Sequence, residues 1–442
     1  MTFTIIKPRP VWDEEVGENR VNQVVNSLQT WSTSWTNQMF PRRERRRSRG
    51  NFAWFCPPGS GFGKPQEWYV DPSIGSDTGS GTSTSDPFGN LEYALANITQ
   101  STDGDRINIK SGTDEVLSAS LGLGVYGTPT AGKPLILQGY ASTAGDGDWE
   151  AGTGIAGIDL NTATLWSSAG YDYIWHRHLH IHGRETGTIV DLDNYCMFIE
   201  CEVEESSGNG LDVDTHGVIL GCHLHDIGGF GLRFTNANGA RAYYNYLKND
   251  GTNDFNTAIV LGNQYCEAHG NIISIDGSSD GIEQYGVIGV MKNNTVFSNG
   301  GSGTGINIVA NGDTDNEIWN NYVEGFSGTG GIGIDTSALT GNFMPVLTNN
   351  ACYNNATNYS TTGEAIGIED DNETLSNSGL EKSGSDTFAN RETYFEPTDE
   401  GSMRGGSYPT VLRRDKGAVQ HADAASGGGM LVHPGMSGGL RG

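Results

Sequence analysis

The sequence predicts an all-β protein whose main part, residues 66–370, is a single right-handed parallel β-helix. Two observations predict this solenoid: a short motif recurs with a period in the twenties, and an apolar motif follows each copy at a nearly constant distance. The composition agrees with this fold. A chain with 65 glycines among 442 residues and only 18% charged residues turns often and has few long amphipathic helices.

The first motif consists of a polar residue, then Asn or Cys, then any residue, and then an apolar residue. Its copies lie 21, 23, 26, 23, 27 and 29 positions apart, and a drifting period of this kind indicates one coil per repeat with turns of variable length. We expect the aligned amides to stack as a ladder, each hydrogen-bonded to the next coil, so that none is buried without a partner. The predicted ladder consists of Cys201, Cys222, Asn245, Asn271, Asn294, Asn321 and Asn350.

The second motif places glycine beside a short alternation of apolar and polar residues. This alternation is typical of a strand with one buried face, whereas a helical repeat would need apolar residues three and four positions apart. The motif therefore predicts a second stack inside the core. The predicted stack consists of Leu211, Leu232, Ile259, Ile282, Ile306 and Ile332.

The segment before the repeats contains a strand at 68–70, a Gly/Ser loop, the pair Pro87 and Phe88, and a short amphipathic helix at 91–98. It resembles the beginning of right-handed β-helices of the pectate-lyase-like superfamily, in which such a helix caps the core. A cap is needed because an open coil exposes a strand edge and an apolar cross-section. The resemblance covers about three hundred residues and implies the fold, but no catalytic motif of the family matches.

Residues 1–65 are predicted to be an N-terminal anchor segment. Residues 13–40 have apolar residues at spacings of three and four and form a predicted helix, and six arginines follow between Arg42 and Arg49. A lone amphipathic helix needs a surface for its apolar stripe. We therefore predict a homotrimer and contacts of residues 13–50 with other virion proteins, with docking on its own rod as the alternative.

Residues 371–442 are glycine-rich and are predicted to be a C-terminal extension, an arm and not a packed domain. The six cysteines contain no CxxC pair, so buried free thiols are expected.

The formal net charge is −27, and the first fifty residues carry nine basic and five acidic side chains, so the rest of the chain carries −31. An acidic rod is repelled by phosphate backbones and anionic lipid, so neither nucleic acid nor membrane is an expected partner of the rod. The first residues lack the pattern of a Sec signal, and no apolar run has membrane-spanning length. The expected location is the virion, or otherwise the extracellular space after lysis.

A histidine-rich segment predicts a candidate metal cluster. Strand alternation from Trp175 onward would place every second residue, including His176 and His182, on the outer face. Imidazoles and carboxylates at strand spacing could bind a divalent metal or sense pH, although no cofactor is required and the spacing fits no defined metal motif. Hydrated outward ladders or a subunit contact are the alternative. The candidate ligands are His178, His180, Glu202, His223 and His225, with Glu204 beside them.

A second outward column contains the candidate catalytic residues Asp212, Asp214, Arg233 and Glu283. Paired carboxylates can hydrolyse glycosides, and a carboxylate beside arginine can serve β-elimination. Solvated acidic surface is the alternative interpretation.

These features favour a virion-associated protein, similar to phage tailspikes, fibres or capsid-decorating β-helical proteins, that binds host-surface polysaccharide, with cleavage of the glycan left open. One alternative is a free polysaccharide lyase or glycoside hydrolase of the pectate-lyase-like superfamily. A purely structural decoration protein is the other.

Overall fold

The computed structural model describes residues 65–398. The description has gaps at 75–76, 119–120, 123–125, 132, 150, 162–165, 169, 185, 236, 250–252, 287, 310–315, 339–345, 362–367, 371 and 383–384. The predicted helix at 13–40, the arginine run and the part of the predicted arm after 398 lie outside the described residues. The described chain is a right-handed parallel β-helix, which confirms the predicted fold class.

Three parallel sheets form the walls of the solenoid, and a regular coil adds one strand to each in the order sheet 1, sheet 2, sheet 3. Sheet 1 contains β1 (Gln66–Val70), β2 (Asp105–Lys110), β5 (Leu135–Tyr140), β8 (Ile174–Arg177), β11 (Met197–Ile199), β14 (Val218–Leu220), β17 (Arg241–Tyr243), β20 (Cys266–His269), β23 (Gly289–Lys292), β26 (Glu317–Trp319), β29 (Val346–Thr348) and β32 (Ile368–Asp370).

Sheets 2 and 3 have shorter strands. Sheet 2 contains β3 (Glu115–Val116), β6 (Ala156–Asp159), β9 (Leu179–His182), β12 (Glu202–Val203), β15 (His223–His225), β18 (Tyr246–Lys248), β21 (Ile272–Ile275), β24 (Thr295–Ser298), β27 (Tyr322–Glu324), β30 (Ala351–Tyr353) and β33 (Glu373–Thr374). Sheet 3 contains β4 (Leu121–Gly122), β7 (Trp166–Ser167), β10 (Val190–Leu192), β13 (Leu211–Val213), β16 (Phe230–Phe234), β19 (Thr257–Leu261), β22 (Asp280–Gln284), β25 (Thr304–Ile308), β28 (Ile332–Asp335) and β31 (Thr357–Ser360).

A two-residue corner joins sheet 1 to sheet 2 in successive coils. Its first residue has a positive φ, a conformation that Gly and Asn adopt more readily than other residues. Its second residue belongs to the ladder. The left-handed residues of these corners are Glu200, Gly221, Tyr244, Gly270, Asn293, Asn320 and Asn349. In the preceding coil His178 alone is the left-handed corner residue, and β9 begins directly after it.

The structure places the predicted ladder residues in one buried column, and the column continues to Asn372. Asn245 illustrates the bonding. Its backbone N–H and its Nδ2 both donate to Oδ1 of Asn271 at 3.0 Å, and Nδ2 also donates to the carbonyl of Ile219 at 3.0 Å. Because each amide is bonded to both the preceding and the next coil, the ladder fixes how successive coils are stacked.

The second core stack matches the prediction except at its last member. The register pairs Ile282 with Ile306 and Ile306 with Ile334, whereas Ile332 pairs with Thr304. The predicted residue Ile332 is therefore wrong by two positions. Gly333 takes an inward position beside Ile334, so Ile332 lies on the other face, although strict alternation would place both isoleucines on the same face.

A short helix covers one end of the core, as the sequence predicts. Helix α1 (Leu91–Asn97) begins at Asn90, whose side chain accepts a hydrogen bond from the backbone N–H of Tyr93. Its apolar face, including Leu91 and Leu95, belongs to the main core cluster. The five cysteines in the described part of the chain are buried and free.

The chain after the last coil packs back onto the solenoid. Residues 375–398, here called the strap, contain a 3₁₀ helix (Phe388–Asn390) and helix α2 (Arg391–Tyr394). Asp386 accepts hydrogen bonds from Tyr246 and Ser274 on sheet 2, and Phe395 is fully buried. The predicted arm therefore begins too early, because residues 373–398 belong to the folded body.

The described residues contain no helix that is both long and apolar enough to cross a bilayer.

Replacing Asn294 by alanine should lower the free energy of unfolding by about 3 kcal/mol, since several buried polar groups lose their partner at once. Asn294 Oδ1 accepts from the backbone and side chain of Asn271, and its Nδ2 donates to Asn321 and Ala268. Urea unfolding measures the loss. Asn299→Ala, at an exposed position of the same coil, is the control and should change little. Equal stability of the two variants would contradict the role assigned to the ladder.

Candidate functional site

Outward side chains of sheet 3 stand in register, one from each coil. The residues of this line, here called the sheet 3 column, are Asp191, Asp212, Arg233, Val260 and Glu283. Arg233 Nε donates to Asp212 Oδ1 at 2.7 Å, and its Nη2 donates to the other carboxylate oxygen. This two-point ion pair engages both oxygens of Asp212, so that carboxylate is a poor base or nucleophile.

Carboxylates crowd one end of the sheet 3 column. Burial, and then repulsion from Asp193 and Asp191, raises the pKa of Asp214. Burial also raises the pKa of Asp191, and the neighbouring Asp212 adds to the rise. A ligand that donates hydrogen bonds or carries positive charge would therefore stabilise the carboxylates at this end of the sheet 3 column.

A pair of carboxyl groups, Asp280 and Glu283, lies further along the same face. Glu283 is buried and accepts hydrogen bonds from Thr257 Oγ1 at 2.9 Å and from the Tyr285 hydroxyl at 3.2 Å. Burial raises the pKa of Asp280 to about 7; the hydrogen bond from the Thr304 N–H opposes the rise, and Glu283 adds to it. Asp280 can therefore give or take a proton near neutral pH.

The four predicted catalytic residues do not form a single centre. The coil that contributes Val260 separates Glu283 from Arg233, which places them roughly 10 Å apart at two strand spacings. Asp214 follows the end of β13 and faces other carboxylates. The structure thus contains two groups, the Asp212–Arg233 ion pair and the Asp280–Glu283 carboxyl pair.

Asp280 is a site residue that the sequence analysis missed. Strict alternation would turn Asp280 inward together with Ile282, but Gly281 takes an inward position of its own. A Cβ atom at Gly281 would lie 2.5 Å from the Val296 side chain, which explains the glycine. Asp280 and Glu283, three residues apart, can therefore hydrogen-bond to each other. The signal in the sequence is the glycine that directly precedes the buried apolar residue in most copies of the second motif.

Aromatic rings stack at the corner between sheets 3 and 1. The rings of Tyr173 and Tyr195 are parallel within 4° at 4.9 Å, and those of Tyr195 and His216 within 5° at 4.9 Å. Each of the three residues has a positive φ near 60°. The stack is partly exposed and begins close to Asp193, so an aromatic edge borders the acidic end of the sheet 3 column.

The histidine segment is not one continuous strand, which corrects two of the predicted positions. His178 is a left-handed corner residue, so the alternation restarts after it. His176 points into the core, where Trp166 Nε1 donates to its ring at 3.0 Å and burial lowers its pKa to about 3. His178 is buried against Glu200, with Nε2 3.1 Å from the carboxylate, and so is not beside Glu202.

The remaining members of the predicted cluster come together on the outer face of sheet 2. They form the His/Glu patch, and the register pairs His180 with Glu202 and Glu202 with His223. Burial raises the pKa of Glu202, but the hydrogen bonds from His223 and His225 outweigh this effect. The pKa of Glu202 therefore lies well below its usual range. The patch could hold a cation. Its members are His180, Glu202, Glu204, His223 and His225.

Comparison with solved structures finds the same fold. The pectate lyase Pel9A superposes with a TM-score of 0.50 at 14% identity, over 82% of this chain and 98% of that one. The mannuronan C-5 epimerase AlgE4 A-module of Azotobacter vinelandii gives a TM-score of 0.37 at 13% identity, over 69% and 95%. Geobacillus virus E2 ORF18 gives 0.31 at 10% identity, over 70% and 60%. Neither protein-family profiles nor curated sequences give a match.

The likeness shows a parallel β-helix. The predicted resemblance to the pectate-lyase-like fold is thereby confirmed. At these identities the likeness establishes the fold and not an activity, because one fold carries many functions.

Replacing Asp280 by asparagine should flatten the dependence of stability on pH. The pKa of this carboxyl is raised from 3.8 to about 7, so the folded chain keeps a proton that the unfolded chain releases between these values. Stability is therefore lost as the pH rises from about 4 to about 7. Asp280→Asn should raise the free energy of unfolding at pH 8 by roughly 1–2 kcal/mol, after allowance for partial exposure.

Urea unfolding at pH 5 and pH 8 measures this effect. Glu317→Gln, which removes an exposed carboxylate of sheet 1, is the control and should keep the wild-type profile. If Asp280→Asn kept the wild-type dependence of the unfolding free energy on pH, the raised pKa of Asp280 would be contradicted.

Proposed function

We propose that this protein binds glycan chains along the outer face of sheet 3 and serves as a virion-associated β-helical protein that contacts host-surface polysaccharide. The observation that carries the proposal is the sheet 3 column, a line of outward side chains at the coil spacing on a rigid wall, in which every member except Val260 can form hydrogen bonds. A polymer has a repeat of its own, so a surface that presents polar groups at a regular spacing suits an extended chain better than a small molecule.

The charge on this face narrows the class of glycan. Asp191, Asp193 and Asp214 repel one another, and Arg233 is already paired with Asp212. A polyanionic chain would add like charge, whereas sugar hydroxyls or amino groups would donate hydrogen bonds to the carboxylates. The face therefore favours neutral or amino-bearing glycans over polyuronates. The Tyr173–Tyr195 stack beside it offers aromatic surface against which sugar rings can pack.

The placement on a virion rests on the sequence. An amphipathic segment at 13–40 and the arginines from Arg42 to Arg49 suit an anchor, and a trimer would bury the apolar stripe by symmetry. We propose that residues 13–50 attach the rod to other virion proteins, so that the glycan-binding face projects from the particle.

Glycan cleavage is a second candidate function, and the Asp280–Glu283 pair favours it. With a pKa of about 7, Asp280 can donate a proton to a leaving oxygen near neutral pH. The hydrogen bond between the two carboxyls makes them closer than the ~5 Å or more that two-carboxylate glycosidases use. Asp280 would therefore act as the proton donor, with Glu283 as its hydrogen-bond partner.

Binding to a panel of neutral, amino-bearing and uronate polysaccharides tests the proposal. We expect binding in the first two classes, and we expect Asp191→Asn combined with Asp214→Asn to weaken it at least about tenfold, since each carboxylate accepts charge-assisted hydrogen bonds. These substitutions relieve repulsion, so the double variant should remain folded. Asp276→Asn, an exposed carboxyl outside sheet 3, is the matched control and should bind like the wild type.

The same panel separates the candidate functions. Shorter products that disappear in Asp280→Asn would support cleavage by the carboxyl pair. Binding that is equal in the double variant and the wild type would remove sheet 3 as the site. A chain that binds no member of the panel would favour the purely structural alternative.

A further inference from the structure

We propose that the His/Glu patch on sheet 2 is a binding site for a transition-metal ion of the Zn²⁺ class, with Glu202, His223 and His225 as ligands. The site lies on a different wall of the solenoid from the sheet 3 column. It is therefore independent of the proposed glycan function.

The three ligand atoms already converge. Glu202 Oε1 lies 2.9 Å from His223 Nδ1 and 3.1 Å from His225 Nε2, and all three atoms lie within 4.8 Å of one another. Donors bound to zinc at about 2.0–2.1 Å in a tetrahedron are about 3.3 Å apart. The two carboxylate–imidazole separations are only a few tenths of an ångström shorter, so a small outward movement of the carboxylate would make room for an ion.

Packing holds both imidazoles in place. The rings of His223 and His225 stack at 4.2 Å, and Tyr246 stacks on His223 at 5.3 Å. From the strap, Phe388 lies over His223 at 4.8 Å, and Trp149 contacts Phe388 at 5.2 Å. The His223 and His225 side chains are consequently only 9% and 14% exposed. Ligands with locked rotamers lose little entropy on binding an ion.

A further donor and its support lie next to these ligands. Glu204 Oε2 lies 3.4 Å from His225 Nε2, and its other oxygen is 2.6 Å from His180 Nε2. Glu204 can therefore supply a fourth ligand, while His180 orients it. Such supporting contacts are typical of metal sites and raise their affinity.

The donor set selects the class of metal. Two imidazole nitrogens and carboxylate oxygens suit Zn²⁺, Ni²⁺, Cu²⁺ or Fe²⁺, whereas Ca²⁺ and Mg²⁺ prefer oxygen ligands throughout. The carboxylates also offset the positive charge of the ion in a site that is largely shielded from solvent.

The experiment uses the full chain without a purification tag, first freed of metal by a chelator. Co²⁺ titration followed by visible absorption should give one equivalent per chain and the intense bands of a four- or five-coordinate site, and Zn²⁺ should displace them. His225→Gln should weaken Zn²⁺ binding at least about 100-fold, because loss of a direct ligand exceeds the 10–100-fold cost of losing a supporting contact.

His216→Gln is the matched control, because His216 lies in the aromatic stack at another corner and should leave affinity unchanged. Zn²⁺ should raise the melting temperature of the wild type, and Glu202→Gln, which keeps the size of the ligand, should abolish this rise. This second variant tests the proposal even if His225→Gln fails to fold. Absence of the Co²⁺ bands in the wild type, or equal Zn²⁺ affinity in the wild type and His225→Gln, would overturn the proposal.

Discussion

The buried amide hydrogen bond between coils is the constraint on which the rest of the molecule depends. An Asn side chain in the interior must satisfy one acceptor and two donors, and in this chain the two neighbouring coils supply the partners. Asn271, for example, bonds to Asn245 on one side and to Asn294 on the other. Any slip of one coil against the next would leave several such groups unpaired, so the ladder fixes the register of all three sheets.

That register converts a spacing in the sequence into a line of side chains on the surface. Once one corner is aligned, each outward position recurs at the strand spacing, and groups that are more than twenty residues apart become direct neighbours. On sheet 3 this brings Asp212 to Arg233 and crowds several carboxylates together; on sheet 2 it brings Glu202 between imidazoles. The chemistry of each wall therefore follows from which residue type occupies a column, and the two walls differ for this reason.

The fold, the ladder residues and most of the second stack could be predicted, because their signal repeats along the chain. Departures from the repeat were harder to predict. His178 is a corner residue although its neighbours alternate like a strand, and Asp280 shares a face with Glu283 because Gly281 interrupts the alternation. The strap could not be predicted at all. Its contacts, such as that of Asp386 with Tyr246, join residues 140 positions apart and follow no period.

The strap has a consequence for the order in which this protein matures. In a solenoid most contacts join neighbouring coils, so early coils can fold while later ones are still being translated. The strap is made after the wall that it covers, and until it emerges from the ribosome the rings of His223 and Tyr246 lack Phe388 as a cover. The fold is therefore complete only when the strap has packed over sheet 2. Chains truncated before the strap would expose an aromatic surface that quality-control factors can recognise.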